Sequence, residues 1–425
     1  MVLLTLPETG GEFSSPATAE VLLADGRTRY AFRELMYTHY YRFGGRVDST
    51  GRVGRAFTLS HQIDYDQNSY KYYDAFAIRD TNFFNRFPAL LTDDRGVRYF
   101  ATHESVENSF RLSTFKLASG NFQGERRQRD FLEAGITHRH NRLYMEPTSA
   151  IVNNLMLTGK VGLRLGERMR LQADGLLCLL DQAGDFRIKG LLEVDLRKAG
   201  TFSIAMRNQL YSPTWVQNNL TLFQQTLYQT NFSKTVENSL SATYALPKRG
   251  FSATGRYHLL NNYIYFGAEG LPIQRGTPIG VWQLSAQKDF RFGKFTLANR
   301  AVLQQTEGEV LRLPALFAKH SLVYEGRWFG VLLAQLGADV RYTTAFKADY
   351  YNPVVGQFQL QDEQEVTFFP NVDVYFSMKV STFRAFIKGE NLTTLFQPDE
   401  RLFLSSLYPW PAAAIRWGVS WKMLD

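Results

Sequence analysis

The segment NLMLTGKVGLRLGERMRLQADGLLCLLDQAGDFRIKGLLEVDLR, residues 154–197, decides the fold class. Between residues 155 and 165, apolar side chains or glycines alternate with more polar residues such as Arg164. Residues 169–180 and 185–197 repeat this alternation. An amphipathic helix would place apolar residues three and four positions apart, so a period of two predicts β-strands whose two faces meet different surroundings.

The same alternation recurs along the chain and predicts an all-β protein. Eighteen strands are expected, at residues 17–23, 29–43, 53–66, 104–118, 129–141, 154–165, 169–180, 185–197, 201–211, 236–246, 251–261, 280–290, 295–306, 316–326, 330–343, 372–380, 383–392 and 412–423. The first strand has the weakest pattern, and 295–306 fits either phase. Because no change in composition marks a boundary, residues 1–425 are expected to form one domain.

The predicted connections alternate in length. Reading back from the C-terminus to residue 166, short turns alternate with longer loops, as expected of an outer-membrane barrel with about 16–18 strands. A β-sandwich has Greek-key crossings and no reason for this regularity. The longest predicted loops are 67–103, 212–235 and 344–371, which could fold inward and narrow a pore.

Composition excludes several other classes. A single cysteine, Cys178, excludes a disulfide framework. The net charge of +8 comes without a basic patch or recognition helix, so no nucleic-acid partner is expected. No apolar run reaches the roughly 18 residues that a membrane helix needs. The N-terminal sequence lacks the features of a signal peptide, so either a leader was removed or the chain begins partway through a longer protein.

The alternation, the strand lengths and the 33 Phe, 22 Tyr and 6 Trp together favour a transmembrane antiparallel up-and-down β-barrel. The competing interpretation is a large soluble β-protein whose polar faces meet bulk water. In the barrel, the polar faces would line a water-filled lumen. The lumen-lining residues are then predicted to be Arg164, Arg170, Asp174, Arg187, Lys189, Glu193, Asp195, Arg197, Arg207 and Arg256. Their basic excess predicts a mild preference for anions, unless the charges pair across strands and leave the pore unselective.

The end of the chain resembles the C-terminal strand that outer-membrane barrels present to their assembly machinery. Its apolar positions are Ile415, Trp417, Val419 and Trp421, although Leu424-Asp425 replaces the usual terminal aromatic residue. The preceding FIKGENL, residues 386–392, resembles the penultimate strand of such barrels, including TonB-dependent receptors.

A narrower resemblance rests on YTTAFKADYYNPVVGQF (342–358), FPNVDVY (369–375), LSHQIDY (59–65) and NNYIYF (261–266). These segments are similar to the putative porin family of Bacteroidota. Members look longer at the N-terminus, so the chain is expected to be the C-terminal portion of such a porin. The resemblance implies a location in the bacterial outer membrane and a role in transport.

The sequence gives no sign of catalysis. It lacks the common phosphate-binding, metalloprotease and hydrolase motifs, so neither an enzyme nor a cofactor is expected. His138 and His140 could place two imidazoles on one strand face, but no third metal ligand is near in sequence. Serines near His61, His258 and His320 are expected by chance at this composition.

The expected function is passive diffusion of small hydrophilic solutes or ions through an outer-membrane channel. One alternative is the barrel portion of a TonB-dependent receptor, and another is a non-conducting barrel that serves adhesion or assembly. The expected partners are outer-membrane lipid, lipopolysaccharide, the barrel assembly machinery and the solutes themselves, with a homo-oligomer compatible with this class. The solute and the pore size do not follow from the sequence.

Overall fold

The computed structural model of the protein describes residues 23, 25–44, 56–84, 94–117, 128–222, 225–396 and 403–423. In these ranges the strands are β1 (Arg27–Gly44), β2 (Ala56–Asp74), β3 (Val97–Leu117), β4 (Gln128–Met145), β5 (Thr148–Leu165), β6 (Met169–Cys178), β7 (Phe186–Asp195), β8 (Thr201–Tyr211), β9 (Asn219–Leu222), β10 (Gln225–Gln229), β11 (Thr235–Leu246), β12 (Phe251–Asn261), β13 (Tyr263–Phe266), β14 (Pro272–Arg275), β15 (Ile279–Phe292), β16 (Phe295–Thr306), β17 (Leu316–Trp328), β18 (Leu332–Thr343), β19 (Tyr350–Asn352), β20 (Gln357–Gln359), β21 (Asn371–Val380), β22 (Phe383–Glu390), β23 (Phe403–Ser405), β24 (Tyr408–Pro409) and β25 (Ala414–Trp421). The helices are short: α1 (Thr81–Phe84), α2 (Trp215–Asn218), and the 3-10 turns Arg197–Ala199, Pro247–Arg249 and Leu392–Leu395. No helix of the described residues is long and apolar enough to cross a bilayer.

Seventeen long strands form one sheet in which each strand pairs antiparallel with its neighbours along the chain. The order is β1 to β8, then β11, β12, β15 to β18, β21, β22 and β25. This arrangement confirms the predicted all-β, antiparallel, up-and-down architecture, and the seventeen long strands of the described residues fall within the predicted range of about 16–18. The predicted strand 17–23 falls, except for its last residue, outside the described residues.

The connections lie at two rims, which we call the turn rim and the loop rim. From residue 166 onward the turn rim has the short connections 166–168, 196–200, 247–250, 293–294, 329–331 and 381–382. The loop rim has the longer connections, including 212–234, 262–278, 344–370 and 391–413. The predicted alternation of connection length is therefore confirmed over this part of the chain.

Two predictions near the N-terminal half were wrong. Residues 67–103 were expected to be one loop, but β2 continues to Asp74 and β3 begins at Val97, so only residues 75–96 connect them. Likewise β4 and β5 continue to a two-residue connection, with Met145 opposite Thr148. Alternation marks only the part of a strand whose faces differ in polarity, and here the backbone ladder extends beyond that part.

The cross-strand register joins the polar sides of the strands into one surface, the polar face. One row of directly opposed residues runs across six strands: Lys160, Asp174, Lys189, Arg207, Ser239 and His258. The opposite surface, the apolar face, carries large exposed side chains such as Trp282 and Trp417. The ambiguous strand β16 takes the phase in which Arg300 and Gln304 share the polar face with Gln283.

Candidate functional site

Most of the predicted lumen residues lie together on the polar face of β5 to β12. Arg187 and Lys189 are on β7, Arg207 is opposite Lys189 on β8, and Arg256 is on β12. Asp174 lies directly opposite Lys189, and Arg170 lies directly opposite Glu193. The period of two in the sequence predicted that these side chains share one face. In paired strands, directly opposed residues lie on the same side of the sheet, so the polar side continues from each strand to the next.

Arg197 was placed wrongly on a strand. It lies in the 3-10 turn Arg197–Ala199 at the turn rim, with a φ of 58°. The strand ends because the amide of Leu196 donates to the carbonyl of Gly200, which closes the connection. The Asp195 carboxylate accepts a hydrogen bond of 2.7 Å from the Arg197 amide, so this pair shapes the turn.

An acidic residue that sequence reasoning missed neutralises part of the basic cluster. Glu237 on β11 forms an ion pair with Arg207 and accepts a 2.6 Å hydrogen bond from Gln209. Its carboxylate also lies 3.9 Å from His258 Nδ1. Alternation with Leu240 and Ala242 would have put Glu237 on the polar face, but its partner on β8 follows only from the register.

Two cations beside this pair have no ion-pair partner among the described residues. Lys189 and Arg256 line a depression of about 470 Å³ on the polar face, together with Asp174, Arg207 and His258. The Arg187 Nε atom, one row closer to the loop rim, is buried without a hydrogen-bond acceptor in the same described part of the chain. This arrangement can attract a hydrated anion without binding it tightly, because the carboxylates of Asp174 and Glu237 remain close.

A second ionic cluster joins the last strands of the sheet. Asp373 is almost fully buried and lies 3.1 Å from both Arg341 and Lys388. Lys388 also lies 3.0 Å from Glu390, which pairs with Arg416 on β25. These residues form a chain of ion pairs across β18, β21, β22 and β25. The chain stabilises the pairing of these strands and leaves few unpaired charges to contact a solute.

The C-terminal strand is exposed on its apolar face. Ile415, Trp417, Val419 and Trp421 are all on this face of β25 and are each at least 64% exposed. Among the described residues, β25 pairs with β22. Apolar side chains this exposed require a nonaqueous environment or a partner.

The connections of the loop rim pack into a buried apolar cluster, which we call the loop core. Its members come from the ends of β2, β3 and β4 and from five loops: Tyr72, Ala77, Phe83, Phe84, Val97, Tyr99, Met145, Leu220, Leu222, Tyr228, Phe266, Tyr350, Val354, Val355, Leu407 and Tyr408. Tyr72, Tyr99 and Met145 share the phase of the polar face, since Tyr72 opposes Tyr99 and Met145 opposes Ala101 on the next strand. The loop core therefore lies on the polar side of the sheet.

Polar contacts fasten these loops to one another. A small sheet of order β14, β13, β20 and β19 joins the loops 262–278 and 344–370. Arg312 contacts the Asp362 carboxylate at 3.0 Å and the Gln361 carbonyl. Lys234 pairs with Asp185 at 2.7 Å, and Tyr70 donates to the Pro353 carbonyl. A loop assembly tied at so many points has a defined shape.

Burial perturbs several titratable groups in this assembly, among them Asp349 and Tyr408. Desolvation raises the pKa of Asp349 above its ordinary value, and the nearby Arg312 opposes the shift only in part. The Asp349 Oδ1 atom has no hydrogen-bond partner among the described residues. Burial among Tyr350, Tyr351 and Tyr70 likewise raises the pKa of Tyr408, which stays neutral at physiological pH.

The histidines show no metal-binding geometry. His138 and His140 lie on the apolar face of β4, and the His140 Nδ1 atom is 2.8 Å from Asn153. No group of three metal-ligating side chains occurs in the part of the chain that the structure describes.

Comparison with known proteins adds a family and a fold. A family model described as "Putative porin" matches residues 5–425. The sequence matches no curated protein significantly. Among solved structures, the chain is similar to the copper transporter OprC, with a TM-score of 0.60 and 13% identity over 95% of this chain and 67% of that one.

Two receptors are similar to the same degree. The siderophore receptor PirA from Acinetobacter baumannii has a TM-score of 0.55 and 9% identity over 94% of this chain and 71% of that one. The ferric enterobactin receptor PfeA from Pseudomonas aeruginosa has a TM-score of 0.56 and 10% identity over 99% of this chain and 73% of that one. At these identities the likeness concerns the fold alone.

Proposed function

The chain belongs to the family described as "Putative porin", and on this premise we propose that it forms a channel in the bacterial outer membrane. Small hydrophilic solutes or ions diffuse through it without catalysis or a cofactor. The observation that carries this proposal is the polar face, which continues in register across the long strands while the apolar face exposes large side chains. A strand with one wet and one lipid-facing side is the arrangement by which β-sheets cross bilayers.

The loop core supports a channel that is constricted at one end. Its residues lie on the polar side of the sheet, so the loops project over the space that the polar face borders. Passage at the loop rim would then be limited by the openings between these fastened loops. The width of the sheet alone would not determine which solutes pass.

The polar face supports a mild preference for anions. Lys189, Arg256 and Arg187 have no ion pair among the described residues, whereas Glu237 neutralises Arg207. Basic side chains that line a water-filled path raise the local concentration of anions. The same residues would favour small carboxylated or phosphorylated solutes over cations of equal size.

Planar-bilayer recording tests this function. The refolded protein should give stable conductance steps, and a potassium chloride gradient should give a reversal potential on the anion-selective side. The variant K189Q/R256Q should move that potential toward the value for no selectivity. The matched control K71Q/K288Q removes the same charge from the apolar face and should leave the potential unchanged. A cation-selective wild type would overturn the anion preference, and absence of any conductance would overturn the channel.

A specific observation favours a second function, the barrel of a TonB-dependent receptor. The similar solved structures are described as a copper transporter and siderophore or enterobactin receptors. A receptor barrel would bind its ligand tightly and would not conduct ions steadily when isolated. A non-conducting barrel for adhesion or assembly would show neither conductance nor ligand binding, so the recording together with a ligand-binding measurement separates the three.

The remaining partners follow from the membrane location. The apolar face would contact outer-membrane lipid and lipopolysaccharide. The exposed strand β25, with Ile415, Trp417, Val419 and Trp421, would be recognised by the barrel assembly machinery through its apolar face.

A further inference from the structure

The turn rim carries a strong and evenly distributed positive charge. Within two residues of the six short connections there are twelve basic side chains and two acidic ones, Glu167 and Asp195. Each connection contributes at least one exposed cation: Arg168, Lys198, Arg249, Lys294, Arg327 and Lys379. The first four lie within the turns themselves, whereas Arg327 and Lys379 lie on strands, opposite Leu333, in the phase of the polar face. None of these six forms an ion pair with another residue that the structure describes.

Exposed aromatic side chains lie just inside the turn rim on the apolar face of β15, β16, β17 and β25. Phe290, Phe292, Phe295, Trp328 and Trp421 are exposed there, close to the turns that follow or precede them. Aromatic rings of membrane proteins concentrate where the hydrocarbon meets the headgroups. The turn-rim cations therefore lie at the depth of the lipid phosphates.

Lys288 gives an independent indication of the same boundary. It is on the apolar face of β15, and its Nζ lies 5.0 Å from the centre of the Phe290 ring. The ammonium group reaches toward the turn rim and donates to the carbonyl of Arg249. A lysine on a lipid-facing surface extends in this way to bring its charge to the polar layer.

We propose that the turn rim binds anionic phospholipid headgroups along the arc of turns from β5 to β16. The proposal rests on the membrane location given under the proposed function. Basic residues lie within four successive turns, 166–168, 196–200, 247–250 and 293–294, and a lipid annulus meets all four of these turns, whereas a soluble acidic protein would contact fewer. Turn-rim cations on the apolar side would contact phosphate and glycerol oxygens, and an anionic headgroup leaves a net negative charge for them to attract.

Quenching of tryptophan fluorescence by brominated lipids tests the proposal on the full chain. The protein is refolded into phosphatidylcholine vesicles that contain the same mole fraction of either brominated phosphatidylglycerol or brominated phosphatidylcholine. Trp328 and Trp421 report lipid at the turn rim. We expect brominated phosphatidylglycerol to associate about fivefold more strongly than brominated phosphatidylcholine, since a basic residue near the surface has an effect of this size.

Two comparisons assign the preference to the turn rim. The variant K198Q/R249Q/K294Q should lose most of it, whereas the control R79Q/R275Q/K347Q, which removes the same charge from the loop rim, should retain it. Far-ultraviolet circular dichroism checks that each variant folds. In the wild-type protein, raising sodium chloride to about 0.5 M should weaken the preference, because salt screens exposed charges.

Each outcome has a distinct meaning. Equal quenching by the two lipids, or a preference that survives in the turn-rim variant or in high salt, would overturn the proposal. Equal quenching would leave the membrane location intact and assign these cations to a soluble acidic partner. Absence of quenching by both lipids would mean that the protein does not enter the bilayer, and the proposed function would then fail first.

Discussion

The contribution of a single charged residue to the net charge of the polar face depends on whether a residue of opposite charge lies beside it. Arg207 and Lys189 are directly opposed on neighbouring strands, yet only Arg207 has a carboxylate partner, Glu237. Like charges this close are tolerated when counter-charges or water are available. The basic character of the polar face therefore depends on the few cations that lack a partner, and not on the total number of basic residues.

Asp349 provides a prediction about pH at the residue scale. Burial raises its pKa in the folded protein above that of the unfolded chain, so the folded loop takes up a proton more readily. The contribution of this residue to loop stability therefore increases as the pH falls from 7 through the folded pKa, and it is lost at higher pH.

The variant D349N should remove this dependence and stabilise the loop 344–370 at pH 7 by about 0.5–1 kcal/mol, since the side chain is only partly buried. Hydrogen exchange of the peptide around Phe346 and Val366, corrected for intrinsic rates, measures the effect. These two residues exchange paired backbone hydrogen bonds of 3.0 and 2.8 Å. E365Q in the same loop serves as the control, and equal protection in the two variants would contradict the prediction.

At the scale of elements, the sequence predicted a strand well where its two faces differ. The long strands from β6 onward agree with the prediction within a few residues for this reason, whereas the short loop strands β9, β10, β13, β14, β19, β20, β23 and β24 were not predicted. The outer halves of β2 to β5 were missed because polar side chains occur on both faces there, as in Asn153 and Asn154. Backbone hydrogen bonds hold these parts of the strands together. Such bonds do not require apolar and polar side chains to alternate, so the sequence shows no period of two there.

The loop core could not be predicted from the sequence. Its members lie between Tyr72 and Tyr408, and no local pattern links Leu220 in one loop to Leu407 in another. The same holds for the partner of Arg207 and for the cluster around Asp373, because both depend on which strands become neighbours. The phase of Lys189 and Arg256, in contrast, followed directly from the alternation.

The loop core predicts an effect on conductance. Leu220 and Leu407 are each 2% exposed, and truncation of a buried leucine costs about 2–5 kcal/mol. The variant L220A/L407A should therefore loosen the loop rim, increase its cleavage by added protease and raise the single-channel conductance. The unfolding midpoint of the long strands in urea should change little.

The control for this prediction is L240A, which removes an exposed leucine from the apolar face of β11. It should leave both the protease pattern and the conductance as in the wild type. If L220A/L407A has wild-type conductance while its loops become sensitive to protease, the loop core does not limit passage.

At the scale of the whole molecule, one arrangement explains the fold, the exposed apolar surface and the positions of the charges. The long strands share one polar face, and the loop core lies on that side. The exposed aromatic side chains of the apolar face near the turn rim, and the basic turns, lie at the opposite end of the strands. A soluble sheet would not expose a large apolar face with Trp282, Trp417 and Trp421 to water.

Spin-label scanning of β8 in lipid vesicles tests the central claim most directly. Cys178 is first replaced by alanine, and single cysteines carrying nitroxide labels are placed at each position from 202 to 207. Ser203, Ala205 and Arg207 belong to the polar face, whereas Phe202, Ile204 and Met206 belong to the apolar face. We predict that relaxation by a water-soluble nickel complex and by membrane-dissolved oxygen alternates with a period of two. Nickel should relax the labels at 203, 205 and 207 most strongly, and oxygen should relax those at 202, 204 and 206 most strongly. Equal nickel accessibility at all six positions, or an alternation of the opposite phase, would contradict the account.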